Sequence, residues 1–138
     1  METSKLKLII AINNLGYIGK DGGMMWKSSD DLRHFKKLTE GLKCLVGNTT
    51  KKGLPPLRNR EIIVVGHDEG CYTLEEALAM NPDWIIGGAT IYKQTLHLSD
   101  ELHVSHINDD TIGDTSFEIP EDYKGQIFHY YFETNDKL

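Results

Sequence analysis

The 138-residue sequence lacks the features that mark several large classes of protein. It has no long apolar run, which excludes a membrane-spanning helix, and its 39% hydrophobic and 26% charged residues are typical of a folded globular protein. Its formal net charge is -6, so it lacks the basic excess that nucleic-acid binding requires. We therefore expect one globular domain over residues 1–138, a monomer, with no nucleic-acid or membrane partner.

Cysteine is also scarce. Cys44 and Cys71 lack C-x-x-C spacing, and charged residues near the start lead directly into a strand-like run instead of a secretory leader. We therefore expect reduced thiols in a cytoplasmic protein. Of the six histidines, His103 and His106 are close enough to suggest a metal pair, but a spacing of three on a strand places them on opposite faces. We therefore predict no metal site.

Short apolar runs alternate with helical patterns along most of the chain. Strands are predicted near residues 6–12, 43–47, 62–65, 84–86, 101–107 and 127–133, and helices begin near residues 29, 74 and 91. The early alternation of strands and helices predicts an α/β domain with a central, mostly parallel twisted sheet flanked by helices. Because the last two strands follow one another without a helix, we predict an antiparallel C-terminal edge strand.

The most informative stretch is 18–39, in which a glycine-rich loop leads into an amphipathic helix. Serine caps and first-turn acids predict that this helix begins near Ser29. Asp31, Phe35 and Leu38 then fall on one face, which places a carboxylate on an apolar stripe. Burying an unpaired carboxylate costs several kcal/mol, roughly. Asp31 must therefore be solvated, pair with a cation, or bind a ligand that brings hydrogen-bond donors.

Two glycine-containing turns follow predicted strands. The turn at residues 86–89 leads into a helix and exposes backbone N–H groups, so it is either an anion site or a tight connection. The turn at residues 47–50 brings hydroxyl groups to the start of a possible helical turn, which gives it the same two interpretations. Neither has the G-x-G-x-x-G spacing of a dinucleotide fingerprint.

The spacing of the loop and helix residues identifies a family resemblance. The string I-G-x4-M-x-W-x4-D-x3-F-x3-T is formed by Ile18, Gly19, Met24, Trp26, Asp31, Phe35 and Thr39, and it resembles the signature of dihydrofolate reductase. Further matching segments extend the resemblance from about Leu8 to Phe117. The family has proline where this chain has Met25.

The resemblance implies a reaction and a catalytic group. Hydride would pass from C4 of the nicotinamide ring of NADPH to C6 of dihydrofolate, and a proton would reach N5. The implied catalytic residues are Asp31, Trp26 and Ser105, with the Asp31 carboxylate accepting two hydrogen bonds from the pterin and the Ser105 hydroxyl bonding that carboxylate. We expect water, and not Asp31 itself, to carry the proton to N5.

The resemblance also implies a substrate site. Its residues are Ile10, Asp31, Leu32, Phe35, Leu57, Arg60 and Ser105. Leu57 would pack on the benzoyl ring, and Arg60 would bind the α-carboxylate of the glutamate tail, because a guanidinium fork matches a carboxylate bidentately. Arg58 is a rival for the second role.

The implied cofactor site is built from three segments. Its residues are Ala11, Ile18, Gly19, Asn48, Thr49, Thr50, Ile86, Gly87, Gly88, Ala89, Thr90, Ile91 and Tyr92. In the family the peptide between the paired glycines is cis. Asn48 and Thr90 stand where basic residues are customary, so NADPH is the expected cofactor while the preference over NADH stays open. Asp114, in a G-D-T-x-F loop, would support the mobile loop around residues 16–23.

Two other functions are weighed against this one. A pyrimidine reductase of the riboflavin pathway shares the fold and the cofactor, but it lacks the W-x4-D-x3-F helix that Trp26 and Asp31 form here. A catalytically degenerate member kept for binding or assembly is the alternative from another class, and Met25 and Asn48 motivate it.

Overall fold

The computed structural model describes residues 5–20, 25–54 and 56–135. The strands are β1 Lys7–Asn13, β2 Tyr17–Gly19, β3 Lys43–Gly47, β4 Glu61–Val65, β5 Trp84–Gly87, β6 Glu101–Ile107, β7 Thr115–Ser116 and β8 Gln126–Phe132. The helices are α1 Ser29–Thr39, α2 Asn48–Lys52, α3 Leu74–Ala79 and α4 Ala89–Thr95, and a short 3-10 helix, Leu96–Leu98, follows α4. The alternation of strands and helices confirms the predicted α/β class.

Six strands form one parallel sheet in the order β4-β3-β5-β1-β6-β8. The predicted single α/β domain with a mostly parallel sheet flanked by helices is confirmed. The predicted antiparallel C-terminal edge is wrong, because β8 runs parallel to β6. Gln126 N donates to Asp100 O at the start of β6, and Asn108 N donates to Phe132 O at its end.

The length of the connection explains this error. Residues 108–125 are long enough to return the chain to the starting end of β6, as a parallel crossover requires. Part of this connection forms β7, which pairs with β2 in a separate antiparallel ribbon. The sequence pattern gave the succession of β6 and β8 but not the path between them.

Local capping explains where the helices begin. Ser28 caps α1 by accepting a hydrogen bond from Asp31 N at 3.2 Å, which agrees with the predicted start. Thr73 and Glu76 form a reciprocal capping box at α3, with Thr73 N to Glu76 Oε1 at 2.8 Å. The predicted helical turn after β3 is present as α2.

Apolar layers cover the sheet on both faces. One contains Leu8, Leu45, Ile63, Ile85 and Leu102 with side chains of α3 and α4, and the other contains Ile9, Cys44, Val46, Trp84 and Ile86 with the apolar face of α1. Strands buried on both faces favour continuous apolar sequence, as these strands have. Helices on both faces leave the carboxyl ends of the central strands available for a site.

The cysteines, histidines and helix lengths can be compared with the predictions made from composition. Cys44 and Cys71 are free thiols. His103 is buried against Trp84, whereas His106 contacts His129, in agreement with the predicted opposite faces. Among the described residues, no cluster of three or more potential metal ligands is found, and no helix is long and apolar enough to cross a membrane.

Candidate active site

A cleft of about 1460 Å³ lies along the carboxyl ends of β3, β4 and β5 and beside β1 and β6. Small-molecule sites usually occupy roughly 300–1,000 Å³, so this cleft is large enough for two ligands at once. Its walls include one face of α1, the start of α2 and the start of α4. This is the edge at which ligands bind in open parallel sheets.

Asp31 is the carboxylate at one end of the cleft. It lies in the first turn of α1 and is only 6% exposed. Burial raises the pKa of Asp31, and the nearby Ser105 hydroxyl opposes that shift. Within residues 5–20, 25–54 and 56–135, no lysine, arginine or histidine forms an ion pair with it. Of the three alternatives for Asp31, the geometry therefore leaves the ligand with hydrogen-bond donors.

Two further buried polar atoms belong to residues that line the same cleft as Asp31. Trp26 Nε1 and Ser105 Oγ are buried and make no hydrogen bond of normal geometry with any residue that the structure describes. Both residues line the cleft together with Asp31. Buried polar groups are usually satisfied, so a pair of unsatisfied ones at a cleft indicates the position of a polar ligand or its water.

The wall next to Asp31 combines apolar surface with one oriented cation. Leu32 and Phe35 come from α1, and Leu32 is 42% exposed at the cleft. The Arg60 guanidinium lies 5.4 Å from the centre of the Phe35 ring. Arg60 Nε donates to Thr39 Oγ1 at 2.7 Å, and its Nη1 donates to the carbonyl oxygen of Arg58 at 2.8 Å.

These contacts distinguish Arg60 from Arg58 as the candidate for binding a ligand carboxylate. Arg58 has an exposed side chain, and Arg60 is half-buried and held in place. In the part of the chain that the structure describes, no carboxylate forms an ion pair with Arg60. A guanidinium that two internal hydrogen bonds hold at an apolar wall, with no carboxylate partner among the described residues, suits a ligand carboxylate.

The paired glycines form the middle of the cleft. The peptide between Gly87 and Gly88 is cis, as the resemblance implied. A Cβ on Gly87 would lie 2.9 Å from Thr50 Cγ2, and a Cβ on Gly88 would collide with Thr50 Oγ1. A Cβ on Gly47, at the end of β3, would lie 3.3 Å from Ile91 Cγ1 and 3.7 Å from both Gly87 O and Gly88 N. The Thr50 side chain thus excludes side chains at Gly87 and Gly88, and the two glycines contribute backbone to the cleft lining.

A family model described as dihydrofolate reductase matches residues 5–137. The chain belongs to the dihydrofolate reductase family.

Individual dihydrofolate reductases agree with this match. The type 3 dihydrofolate reductase of Salmonella typhimurium is 34% identical over 125 residues, covering 81% of this chain and 77% of that protein. The dihydrofolate reductase of Mycobacterium leprae (strain TN) is 36% identical over 117 residues, covering 73% and 71%. The structure of dihydrofolate reductase from Enterococcus faecalis, complexed with NADP(H) and RAB-propyl, matches with a TM-score of 0.75 and 29% identity, covering 85% and 79%.

The structure brings the residues predicted for catalysis, substrate binding and cofactor binding to the same cleft. Those predicted for catalysis and the substrate are Ile10, Trp26, Asp31, Leu32, Phe35, Leu57, Arg60 and Ser105. Those predicted for the cofactor are Ala11, Ile18, Gly19, Asn48, Thr49, Thr50, Ile86, Gly87, Gly88, Ala89, Thr90, Ile91 and Tyr92. Tyr92 is fully buried and donates its hydroxyl to Ile9 O at 2.6 Å, so its ring is fixed at the wall.

The loop before the helix is described only in part. Met24 and the predicted mobile residues at 21–23 lie outside the described residues. Met25, which replaces the proline customary in dihydrofolate reductases, places its Sδ 2.7 Å from where a Cβ on Gly113 would be. Asp114 N donates to Gly19 O at 3.0 Å, so the G-D-T-x-F loop contacts the described part of the glycine-rich loop.

Several cleft residues were missed by sequence reasoning. They are Lys52, Gly66, His67, Asp68 and Tyr72, at the end of the cleft near β4. The sequence of residues 66–70 by itself predicts only a polar turn. Its position directly after a parallel strand was the available signal, because such loops lie at the ligand-binding edge of the sheet.

Proposed function

We propose that this chain reduces 7,8-dihydrofolate to 5,6,7,8-tetrahydrofolate with NADPH. Family membership and the relatives' activity support the reaction, and the neighbour's complex with NADP(H) supports the cofactor. The observation that carries the proposal is Asp31, a buried carboxylate without an ion-pair partner in the described ranges, in a cleft that Trp26 and Ser105 line with polar atoms lacking hydrogen bonds of normal geometry. A pterin ring offers the N–H donors that such a site needs.

Asp31 binds and polarises the substrate in this proposal. Its two oxygens accept parallel hydrogen bonds from N3–H and the 2-amino group of the pterin, a charge-assisted pair. The negative charge raises the basicity of N5, and the Ser105 hydroxyl orients the carboxylate by donating to it. Trp26 Nε1 is free to hold the water that delivers the proton.

The remaining substrate residues fix the pose. Leu32, Phe35 and Leu57 pack against the two ring systems, and Arg60 clasps the carboxylate of the glutamate tail. This leaves the face of the pterin that adjoins Ile18 and the paired glycines as the reacting face.

The cofactor residues fit a dinucleotide. NADPH, when bound, supplies the hydride from C4 of its nicotinamide ring. The bare backbone at Gly87 and Gly88 and the backbone groups of Ala11 and Ile18 would hold it. The Thr49 and Thr50 hydroxyls offer additional hydrogen-bond donors at the cleft wall.

We further propose that the protein acts as a monomer in the cytoplasm. The free thiols Cys44 and Cys71 fit a reducing compartment. Nothing in the described residues favours the pyrimidine reductase alternative.

The proposal is tested by mixing the purified protein with NADPH and dihydrofolate and following the nicotinamide absorbance. We expect consumption that requires both compounds and that falls by orders of magnitude in Asp31→Asn at neutral pH. Asp30→Asn is the matched control, since Asp30 is the neighbouring first-turn carboxylate but is exposed and pairs with Arg33. A folded protein that consumes no NADPH would favour the degenerate, non-catalytic alternative.

A further inference from the structure

A second carboxylate, Asp68, lies at the other end of the cleft, in the loop after β4. Asp68 Oδ2 accepts a hydrogen bond from Asn48 Nδ2 at 2.6 Å and lies 3.4 Å from Lys52 Nζ. These two donors hold the pKa of Asp68 below its usual range, so it is anionic at neutral pH. All three residues line the cleft.

The topology identifies which part of a dinucleotide reaches Asp68. Ser105, beside Asp31, is on β6, and Asp68 follows β4, four strand positions away in the sheet. At about 4.8 Å between neighbouring strands, the two ends of the cleft are separated by roughly 19 Å. The nicotinamide must contact the pterin near Asp31. A dinucleotide that crosses the carboxyl ends past Gly87 and Gly88 therefore places its adenosine half near β3 and β4.

The chemistry at that end selects between two cofactors. The ribose attached to adenine carries a 2′-hydroxyl in NADH and a 2′-phosphate in NADPH. A carboxylate accepts hydrogen bonds from hydroxyl groups but repels a phosphate. Acidic residues at this position therefore favour NADH, and basic residues favour NADPH. Here the nearby donors, Asn48 and Lys52, already bond to Asp68 and are engaged before a phosphate arrives.

We propose that Asp68 is a specificity-determining residue that weakens discrimination in favour of the 2′-phosphate, so that this chain accepts NADH about as well as NADPH. The inference rests on the proposed function, because it assumes that the cleft binds a nicotinamide dinucleotide. It adds to that function a residue that bonds the cofactor ribose and sets the cofactor range.

The test compares the ratio of kcat/KM for NADPH to kcat/KM for NADH in the wild type and in Asp68→Asn. Removing the like charge should raise this ratio roughly tenfold, through better use of NADPH and poorer use of NADH. Glu69→Gln is the matched control, since it removes an adjacent exposed charge outside the cleft lining and should leave the ratio unchanged. An unchanged ratio in Asp68→Asn, with turnover retained, would overturn the inference.

A binding measurement separates this failure from failure of the proposed function. Adenosine 2′,5′-bisphosphate and AMP differ only in the 2′-phosphate, and their competition against NADPH binding is measured without substrate. We expect Asp68→Asn to tighten the bisphosphate roughly tenfold more than AMP. Equal effects on the two nucleotides would contradict the role of Asp68. A wild-type protein that binds neither NADPH nor NADH would overturn the proposed function and this inference together.

Discussion

The two ends of the cleft use the same functional group in opposite ways. Asp31 is buried, has no ion-pair partner in the described part of the chain, and has a raised pKa. Asp68 is exposed, is bonded to Asn48 and Lys52, and has a lowered pKa. At one end the carboxylate thus lacks a charged partner among the described residues, and at the other it has one, Lys52.

This difference indicates what each end does. A buried carboxylate without a charged partner raises the free energy of the unliganded protein, and a ligand with matching donors removes that penalty when it binds. A surface charge that already has partners costs little in the unliganded protein, and it distinguishes ligands by their charge. We therefore assign substrate binding and activation to the Asp31 end and cofactor selection to the Asp68 end.

The largest expected effect is on catalysis and comes from changing Asp31. Asp31→Asn should lower kcat/KM at neutral pH by roughly 10²–10⁴-fold, because the amide cannot accept both pterin N–H groups or supply the negative charge. The loss should be smaller in acid, where the substrate arrives protonated. Measuring kcat/KM from acidic to neutral pH, with Asp30→Asn alongside, checks the prediction. Near-normal turnover in Asp31→Asn would remove the role assigned to this carboxylate.

The next largest effect concerns Arg60, which lies beside the Phe35 ring. Arg60→Lys should raise KM for dihydrofolate by roughly tenfold to a hundredfold, because lysine replaces a bidentate fork that is worth about 1.5–3 kcal/mol. Arg58→Lys, at the exposed neighbour, is the control and should change KM little. With a dihydropterin that lacks the glutamate tail, the two variants should be indistinguishable. A persistent Arg60→Lys defect on that substrate would point to packing on Phe35 instead.

A substitution at Gly88, midway between the two ends of the cleft, tests why this position is glycine. Gly88→Ala should destabilise the fold by ~1–3 kcal/mol, because the new methyl group meets Thr50 Oγ1. It should also weaken NADPH binding, measured by titration. Adding Thr50→Ala removes the obstructing side chain and should restore part of the stability in chemical denaturation. If the double variant is as unstable as Gly88→Ala, contact with Thr50 is not the reason for glycine here.

The smallest expected effect is on the free energy of unfolding, which Asp31 should lower at neutral pH. Because the folded-state pKa of Asp31 is raised above its unfolded value, the wild type is destabilised as pH rises through the folded pKa. Asp31→Asn lacks this penalty and should be more stable at pH 7 by roughly 0.5–2 kcal/mol, although it is less active. The difference should disappear below the unfolded pKa, where both side chains are neutral. Urea unfolding at several pH values measures it, and a variant less stable at neutral pH would contradict it.

The fold and one end of the site were largely readable from the sequence. Helical spacing alone placed Asp31 on an apolar face beside Phe35, and the structure has it buried there. The capping pairs at Ser28 and Thr73 act within a few residues, so local sequence gave the helix starts. The dihydrofolate reductase resemblance added the residues that distant segments contribute.

The errors arose where distant parts of the chain decide the outcome. The direction of β8 depends on the path of residues 108–125, which has no periodic pattern. Asp68 bonds to Asn48 across twenty positions of sequence, and nothing local predicts that contact. The choice between Arg58 and Arg60 likewise depends on Thr39, whose hydroxyl accepts a hydrogen bond from Arg60 only in the folded chain.

The most direct test is the pKa of the Asp31 carboxyl group itself, measured by carbon NMR on the aspartate-labelled protein with Asp31→Asn to assign the signal. In the free protein we expect this pKa to lie above that of an ordinary aspartate, and we expect it to fall when a 2-amino-4-oxopteridine binds and donates its N–H groups. A pKa at or below the ordinary value in the free protein, or one unmoved by the pteridine, would contradict the account.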